Sequence, residues 1–403
     1  MLNYCDIMNI AFKGCDLMKK KNGFLFTLFC IILIILTTLL IFNLFRIYNK
    51  TQNINLLSEY IIKSNEITNK NGLNKENSSY IFKGETNNNY ILYNNLLWRI
   101  VKINNDSSIT LILDDYINML PKNLINSFFE NLTNNLNTDY LTKNKVCIDE
   151  MNDNEITCNK TNNDSYISLL STYDYLNSFY EEKTFITKDK EIMWLYNNDN
   201  HTNGDSISKS NENNFYEIRP VITLKANTTY KDGNGNKDNP YKIDDEPFGL
   251  GSIIKINNDT YVVYDFINDI KLMSLKTIDN LNREKVLDYL NNELYEKINY
   301  NNLLNNLTIY KGTYNNKKDD LLKEKETRKI GIPNILDIKI NNDITNYYLP
   351  NKINNFNLIY DNPIIYGDTK TTHNTRYTIS LSKDKVKNFI KEDNIYVYKE
   401  GAK

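Results

Sequence analysis

Hydrophobic and polar positions split the chain into two regimes. Gly23 to Phe45, GFLFTLFCIILIILTTLLIFNLF, is a run of 23 uncharged, mostly apolar residues with only Thr27, Thr37, Thr38 and Asn43 scattered through it. At 1.5 Å rise per residue such a run spans a hydrocarbon core of about 30 Å, so the pattern predicts a transmembrane helix over 23–45. After it, apolar residues come in short alternating runs, the signature of strands, with a few stretches at helical spacing. Residues 94–117, NNLLWRIVKINNDSSITLILDDYI, read as strand, tight Asn/Asp turn and strand, and so do 257–278, NNDTYVVYDFINDIKLMSLKTI.

The order of elements repeats. A helix-like segment follows each hairpin, at 124–141 and 286–304; in the second, Val286, Leu290, Leu294 and Ile298 recur at four-residue spacing, with Leu287 and Tyr295 flanking. A short apolar strand entering a possible helix comes next, at 164–179 and 328–340. An aromatic segment then appears at 191–199 and 356–367. Last comes an Arg just before an alternating apolar strand, EIRPVITLKAN at 217–227 and TRYTISLSKDK at 375–385. The pattern predicts an α+β chain: one N-terminal transmembrane helix followed by two tandem related α+β modules. The boundaries are 1–22 as cytoplasmic tail, 23–45 as transmembrane helix, 46–77 as polar stalk, 78–245 as the first module and 248–400 as the second, split where Pro and Gly punctuate DDEPFGLG.

Charge sets the expected orientation. Lys13, Lys19, Lys20 and Lys21 precede the apolar run, against Arg46 and Lys50 after it, which predicts a cytoplasmic N-terminus, an uncleaved signal anchor in the cell membrane and an extracellular remainder. Met18 before three lysines offers a second start. The totals, 48 basic and 50 acidic residues, give no electrostatic footprint for nucleic acid. Abundant Asn, Lys, Ile and Tyr read as codon bias. Of five cysteines, Cys147 and Cys158 alone fall in the expected ectodomain, and two lone cysteines in an oxidising compartment predict a disulfide closing a polar hairpin.

The strings LWRIV, ISLLSTYDYL, MWLY, IRPVITLK and DGNGNKDNPY resemble surface modules of low-GC Gram-positive bacteria that read LWRIV…RPVI.LK…GDGT..NPY. The resemblance covers roughly 90–243; the second half keeps the order but lacks the Trp, the Arg-Pro and the Gly-Asn loop. The order of elements is also similar to C-type-lectin-like domains, a fold-level analogy, and no Glu-Pro-Asn, Gln-Pro-Asp or Trp-Asn-Asp sugar motif is present.

Candidate chemistry is sparse. The two histidines, His201 and His373, stand in segments that read as solvated loops, and no Gly-x-Ser-x-Gly, His-Glu-x-x-His or phosphate-binding glycine pattern occurs. Adjacent carboxylates such as Asp114 and Asp115 would point to opposite faces of a strand. Trp98 in LLWRIV reads as core, with Arg99 and Arg219 structural and pairing with carboxylates such as Asp174. Trp194, Tyr196 and Asn197 read as the candidate binding surface. Asp232, Asn234, Asn236 and Asp238 alternate like hard-cation ligands, but a calcium loop's bidentate Glu is replaced by Ile243 and its central Gly by Lys237, so the loop reads as a closing turn. The expectation is a membrane-anchored extracellular binding or adhesion protein without catalysis or cofactor, its partners the lipid bilayer through 23–45 and a glycan or protein ligand, with no nucleic acid. The alternatives are a structural or assembly subunit of a cell-envelope complex and a cell-envelope enzyme acting on glycans.

Overall fold

The structure is a computed structural model that describes residues 31–40 and 56–403, except 151–155, 188–190, 205, 244–247, 299–302, 316, 341–345, 354–355, 362–363, 394 and 401–403. It separates into two units, Met1–Asn55 and Leu56–Lys403. In the first, residues 31–40 are helical. Ten residues at helical rise cover about half of a hydrocarbon core, and no described helix is long and apolar enough to cross a membrane. The expectation of an N-terminal transmembrane signal anchor is corrected accordingly; its flanks, 23–30 and 41–45, lie outside the described residues.

The α+β assignment is corrected too. Among the described residues strand outweighs helix, 44% to 20%. The stretch 124–141 is α-helical over α2 (Ile125–Asn135) with a 3-10 turn at Thr138–Tyr140, and 286–304 carries a continuous helical run over Val286–Ile298 whose middle, Leu290–Leu294, is a π turn. Val286 and Leu290 are buried, and Leu287, Leu294, Tyr295 and Ile298 pack against the second half's apolar cluster, as the four-residue spacing predicts.

The first sheet is built on β1 (Tyr90–Tyr93), β2 (Leu96–Ile103), β3 (Ile109–Leu113), β4 (Leu141–Thr142), β5 (Val221–Leu224), β6 (Tyr230–Asp232) and β7 (Tyr241–Ile243). The second is built on β8 (Ile253–Ile256), β9 (Asp259–Asp265), β10 (Asp269–Asn282), β11 (Leu304–Asn305), β12 (Thr372–Ser382), β13 (Phe389–Glu392) and β14 (Ile395–Tyr398). Their pairing schemes coincide. In the first the order is β6-β7-β1-β2-β3-β5-β4, in the second β13-β14-β8-β9-β10-β12-β11. In each, the last strand of the chain pairs parallel with the first, β7 on β1 and β14 on β8, and the other pairs are antiparallel. Even the irregularity recurs. Trp98 faces Leu113 with a bulge between Ile100 and Lys102, and Tyr261 faces Ser274 with a bulge between Val263 and Asp265. A bulge re-aims the strand, and the same bend at the same register gives both sheets the same course.

Segments of the second half enter the first half's core, while the second sheet keeps an apolar cluster of its own around Tyr261 and Ile379. The buried cluster around Trp98 and Phe128 also takes in Tyr314, Ile335, Tyr347, Leu358 and Tyr360 from the second half. Buried Asn118 donates to the carbonyls of Ile335 (3.0 Å) and Asp337 (2.9 Å), Lys339 N donates to Ile117 O at 2.7 Å, and Tyr360 donates to Tyr116. The described part of the segment expected as a stalk is packed as well. In helix α1 (Leu57–Ser64), Leu57 and Ile61 are fully buried, and Tyr60 stacks on Tyr230 with ring centroids 3.6 Å apart.

The loop after β6 closes the first sheet. Gly233 and Gly235 adopt φ of +96° and +84°, and a Cβ would collide with the Pro240 carbonyl at the first and with Asn88 O and the Tyr241 ring at the second. Gly235 O accepts from Tyr90 N at 2.8 Å, tying the loop to β1. Both strain and contact therefore demand glycine. Gly235→Ala is expected to lower stability by about 2 kcal/mol or more, read as a fall in thermal midpoint, whereas Lys231→Ala on the same hairpin leaves it within about 0.5 kcal/mol.

Candidate functional site

A cavity of about 670 Å³ lies between α2, the disulfide hairpin and the loops at 165–169 and 196–198. Helix α2 buries Ile125, Phe128, Phe129 and Leu132 and turns Asn126, Glu130 and Thr133 to the cavity, at the i, i+4, i+7 spacing of one helix face. Ile167 and Leu169 form an apolar floor, and Ile148, just past Cys147, adds an exposed aliphatic edge. Ser165, Tyr196 and Asn198 complete a polar rim. Glu130 is the one carboxylate among the described lining residues.

The rim is held rigidly. Cys147 and Cys158 are joined, with Cα atoms 5.8 Å apart. Asn197 is buried and fully engaged: Nδ2 donates to the carbonyls of Cys147 (3.1 Å) and Asp149 (2.9 Å), and Oδ1 accepts from Thr172 N at 3.0 Å. It thereby clamps the disulfide hairpin to the start of α3 (Thr172–Asn177), where Ser171 caps Asp174 N at 3.0 Å. Asp149 accepts from Asn159 N and Lys160 N, and these bonds hold its carboxyl below the usual range. Cys147, Asp149 and Cys158 form a sulfur–oxygen cluster, but with the sulfurs bonded to each other no thiolate is offered to a metal.

Of the expected binding residues, Tyr196 reaches the cavity, with its hydroxyl accepting from Asn162 Nδ2 at 3.0 Å, and Asn197 forms its wall as a structural clamp. Trp194 does not reach it. It is 1% exposed, and its indole N–H donates to Leu120 O at 2.8 Å. Its role is indirect: Lys122, which lines the cavity, sits 5.1 Å above the Trp194 ring and donates to Leu195 O. Burial pushes the Lys122 pKa down to about 8. Lys122, Asn126 and Glu130 are functional candidates that the sequence reading missed; the signal available was the polar face of α2.

The other expected residues are structural or exposed. Trp98 is fully buried and donates to Tyr93 O at 3.0 Å. Arg99 bonds Asn89 (2.7 Å) and Tyr90 (2.9 Å) and faces Asp114 at 3.6 Å. Arg219 donates to the carbonyls of Leu113 (2.8 Å) and Ile186. Neither pairs with Asp174, which takes Lys102 instead, at 2.5 Å. Asp232, Asn234, Asn236 and Asp238 are all exposed. Asp232 faces Lys242 at 3.9 Å, and Asn234 Oδ1 accepts from Asn236 N at 3.1 Å, as in a turn. His201 and His373 are not solvated loop residues; both are buried in strands, and burial lowers the pKa of each.

No protein family, curated protein or solved structure matches this chain.

Lys122 links the site to pH. Burial favours its neutral amine in the folded chain, so between pH 8 and the ordinary value of 10.5 the unfolded chain binds more protons, and folding stability rises with pH across that window. Lys122→Met is expected to remove this rise, so that urea midpoints at about pH 7.5 and pH 9.5 differ less in the variant than in the native chain.

Proposed function

We propose that the chain is a binding protein of an oxidising, extracytoplasmic compartment and that the cavity on α2 takes an uncharged polar chain of the glycan type. The observation that carries this reading is the cavity's make-up: amide, hydroxyl and tyrosine groups over an aliphatic floor, with one Lys and one Glu of opposite charge, as suits a ligand with polar edges, apolar faces and no net charge. Rigidity supports it. The clamp by Asn197 and the disulfide fixes the rim before any ligand arrives, and a rim already ordered loses less entropy on binding. The disulfide supports the compartment, and the resemblance of residues 90–243 to bacterial surface modules is in keeping with it. A single carboxylate among the described lining residues favours binding over glycoside hydrolysis, which in its usual form needs a pair.

An array of cell-wall and host glycans probed with the full chain tests this. Binding is expected to at least one class, and Tyr196→Ala or Asn126→Ala should weaken it by about tenfold, roughly 1.4 kcal/mol. Absence of binding across the array, or binding indifferent to both substitutions, would falsify the reading. Trp194→Ala probes something different: it removes a buried anchor, and the expected loss is about 3–5 kcal/mol of folding stability in a denaturant titration.

A further inference from the structure

The second half carries a separate cavity of about 540 Å³ whose wall includes Arg283, Lys311, Glu326 and Arg328. Most of its buried charge is matched. Lys311 meets Glu326 at 2.8 Å, and Arg328 pairs with Glu326 and with Asp288. Lys352, Glu284 and Glu324 are exposed to solvent. Arg283 differs from all of these. Both terminal guanidinium nitrogens are shielded from solvent and have no hydrogen-bond partner, and no described carboxylate forms an ion pair with this arginine. Its Cζ lies 4.5 Å over the ring of Tyr348, and its backbone N–H is fixed to Thr371 O at 2.9 Å.

A charged donor removed from water and left without an acceptor is strongly unfavourable, and native structures supply one. We propose that Arg283 anchors a carboxylate-binding site in this cavity. The tyrosine ring covers one face of the guanidinium, and its edge, shielded as the side chain stands, is the part that matches an in-plane ligand. A planar carboxylate meets that edge with two parallel N–H···O bonds, once the flexible arginine stem turns its fork toward the cavity. The acids at the rim decide the charge class. Glu284 and Glu324 line the same cavity, so a monoanion is tolerated better than a phosphate dianion.

A nearby histidine reports occupancy. His373 is stacked on Tyr348, with centroids 6.5 Å apart and an interplanar angle of 13°. Its Nε2 lies 3.2 Å from Lys370 O and 3.8 Å from Asp368. Burial holds its pKa below the ordinary value, Lys370 O and Asp368 oppose this, and the charges of Arg283 and Lys370 add to the depression. A carboxylate on Arg283 cancels part of that charge and raises the His373 pKa. His201 stands in the other half as an internal control, since the chain has two histidines.

The test titrates both histidines by NMR in the full chain, with and without N-acetylglycine as monocarboxylate and with inorganic phosphate in parallel. A saturable upward shift of the His373 pKa with N-acetylglycine, His201 unmoved, is the expected result. Arg283→Gln should abolish that response, and Arg283→Lys, which keeps the charge but not the fork, should weaken binding by about tenfold. Should the glutamine variant fail to fold, the lysine variant carries the comparison. No response of His373, an equal response of His201, undiminished binding in Arg283→Lys, or tighter binding of phosphate than of N-acetylglycine would each overturn the proposal.

Discussion

Each half of the fold closes around a buried guanidinium beside its matching strand, Arg219 in the first and Arg376 in the second. Arg219 and Arg376 are 4% and 1% exposed, and each donates from two side-chain nitrogens to backbone carbonyls. In each the Nε bond reaches the neighbouring strand, to Leu113 O at 2.8 Å from Arg219 and to Ser274 O at 2.6 Å from Arg376. A second nitrogen reaches a distant segment, Ile186 O in one and Ile340 O in the other. A buried charge survives only when its donors find acceptors, so these bonds specify where the crossing segments must lie. The sheet order and the register around both arginines are consistent with that demand.

The two halves differ in what they do with the same frame. In the first, the segment between β4 and β5 carries the disulfide hairpin and the loops at 165–169 and 196–198, and these border the cavity on α2. In the second, the segment between β11 and β12 runs through long strands such as Tyr347–Ile353 and Phe356–Asp361, and these feed apolar side chains back into the first half's core. The second half thus supports the first through shared packing while keeping its own charged cavity around Arg283. A frame that is repeated and an insertion that is not is a common way for site chemistry to diverge on one fold.

Polar side chains fix the join. Asn118, fully buried, bridges two carbonyls of the second half, and Lys339, 1% exposed, donates to Asn334 O while burial pushes its pKa down to about 8. Apolar contact alone would allow the halves to slide. Directional bonds made in a dry interior do not.

What could be read from the chain followed the periodicity of its side chains. The alternation in LLWRIVKI and ITLIL marked strands, Trp98 inside such a run marked core, and two lone cysteines at close spacing marked a bridge, because all three depend on neighbours within a few residues. The Gly-Asn-Gly loop was legible as a turn for the same reason. What only the tertiary structure decided is where long-range partners lie. Trp194 carried the residue type of a binding surface, yet Leu120 O takes its N–H and Lys122 its face, and both stand more than seventy residues earlier in the chain. The histidines looked solvated because their neighbours are polar; packing from Tyr216 and Tyr348 buries them. The helix expected within 286–304 forms over Val286–Ile298, since four-residue spacing is also a local pattern; its π turn at Leu290–Leu294 was not legible. Local pattern determined the strands, the turns and the disulfide. Packing across the whole of Leu56–Lys403 decided which polar groups face a cavity, since burial is a property of residues distant in sequence.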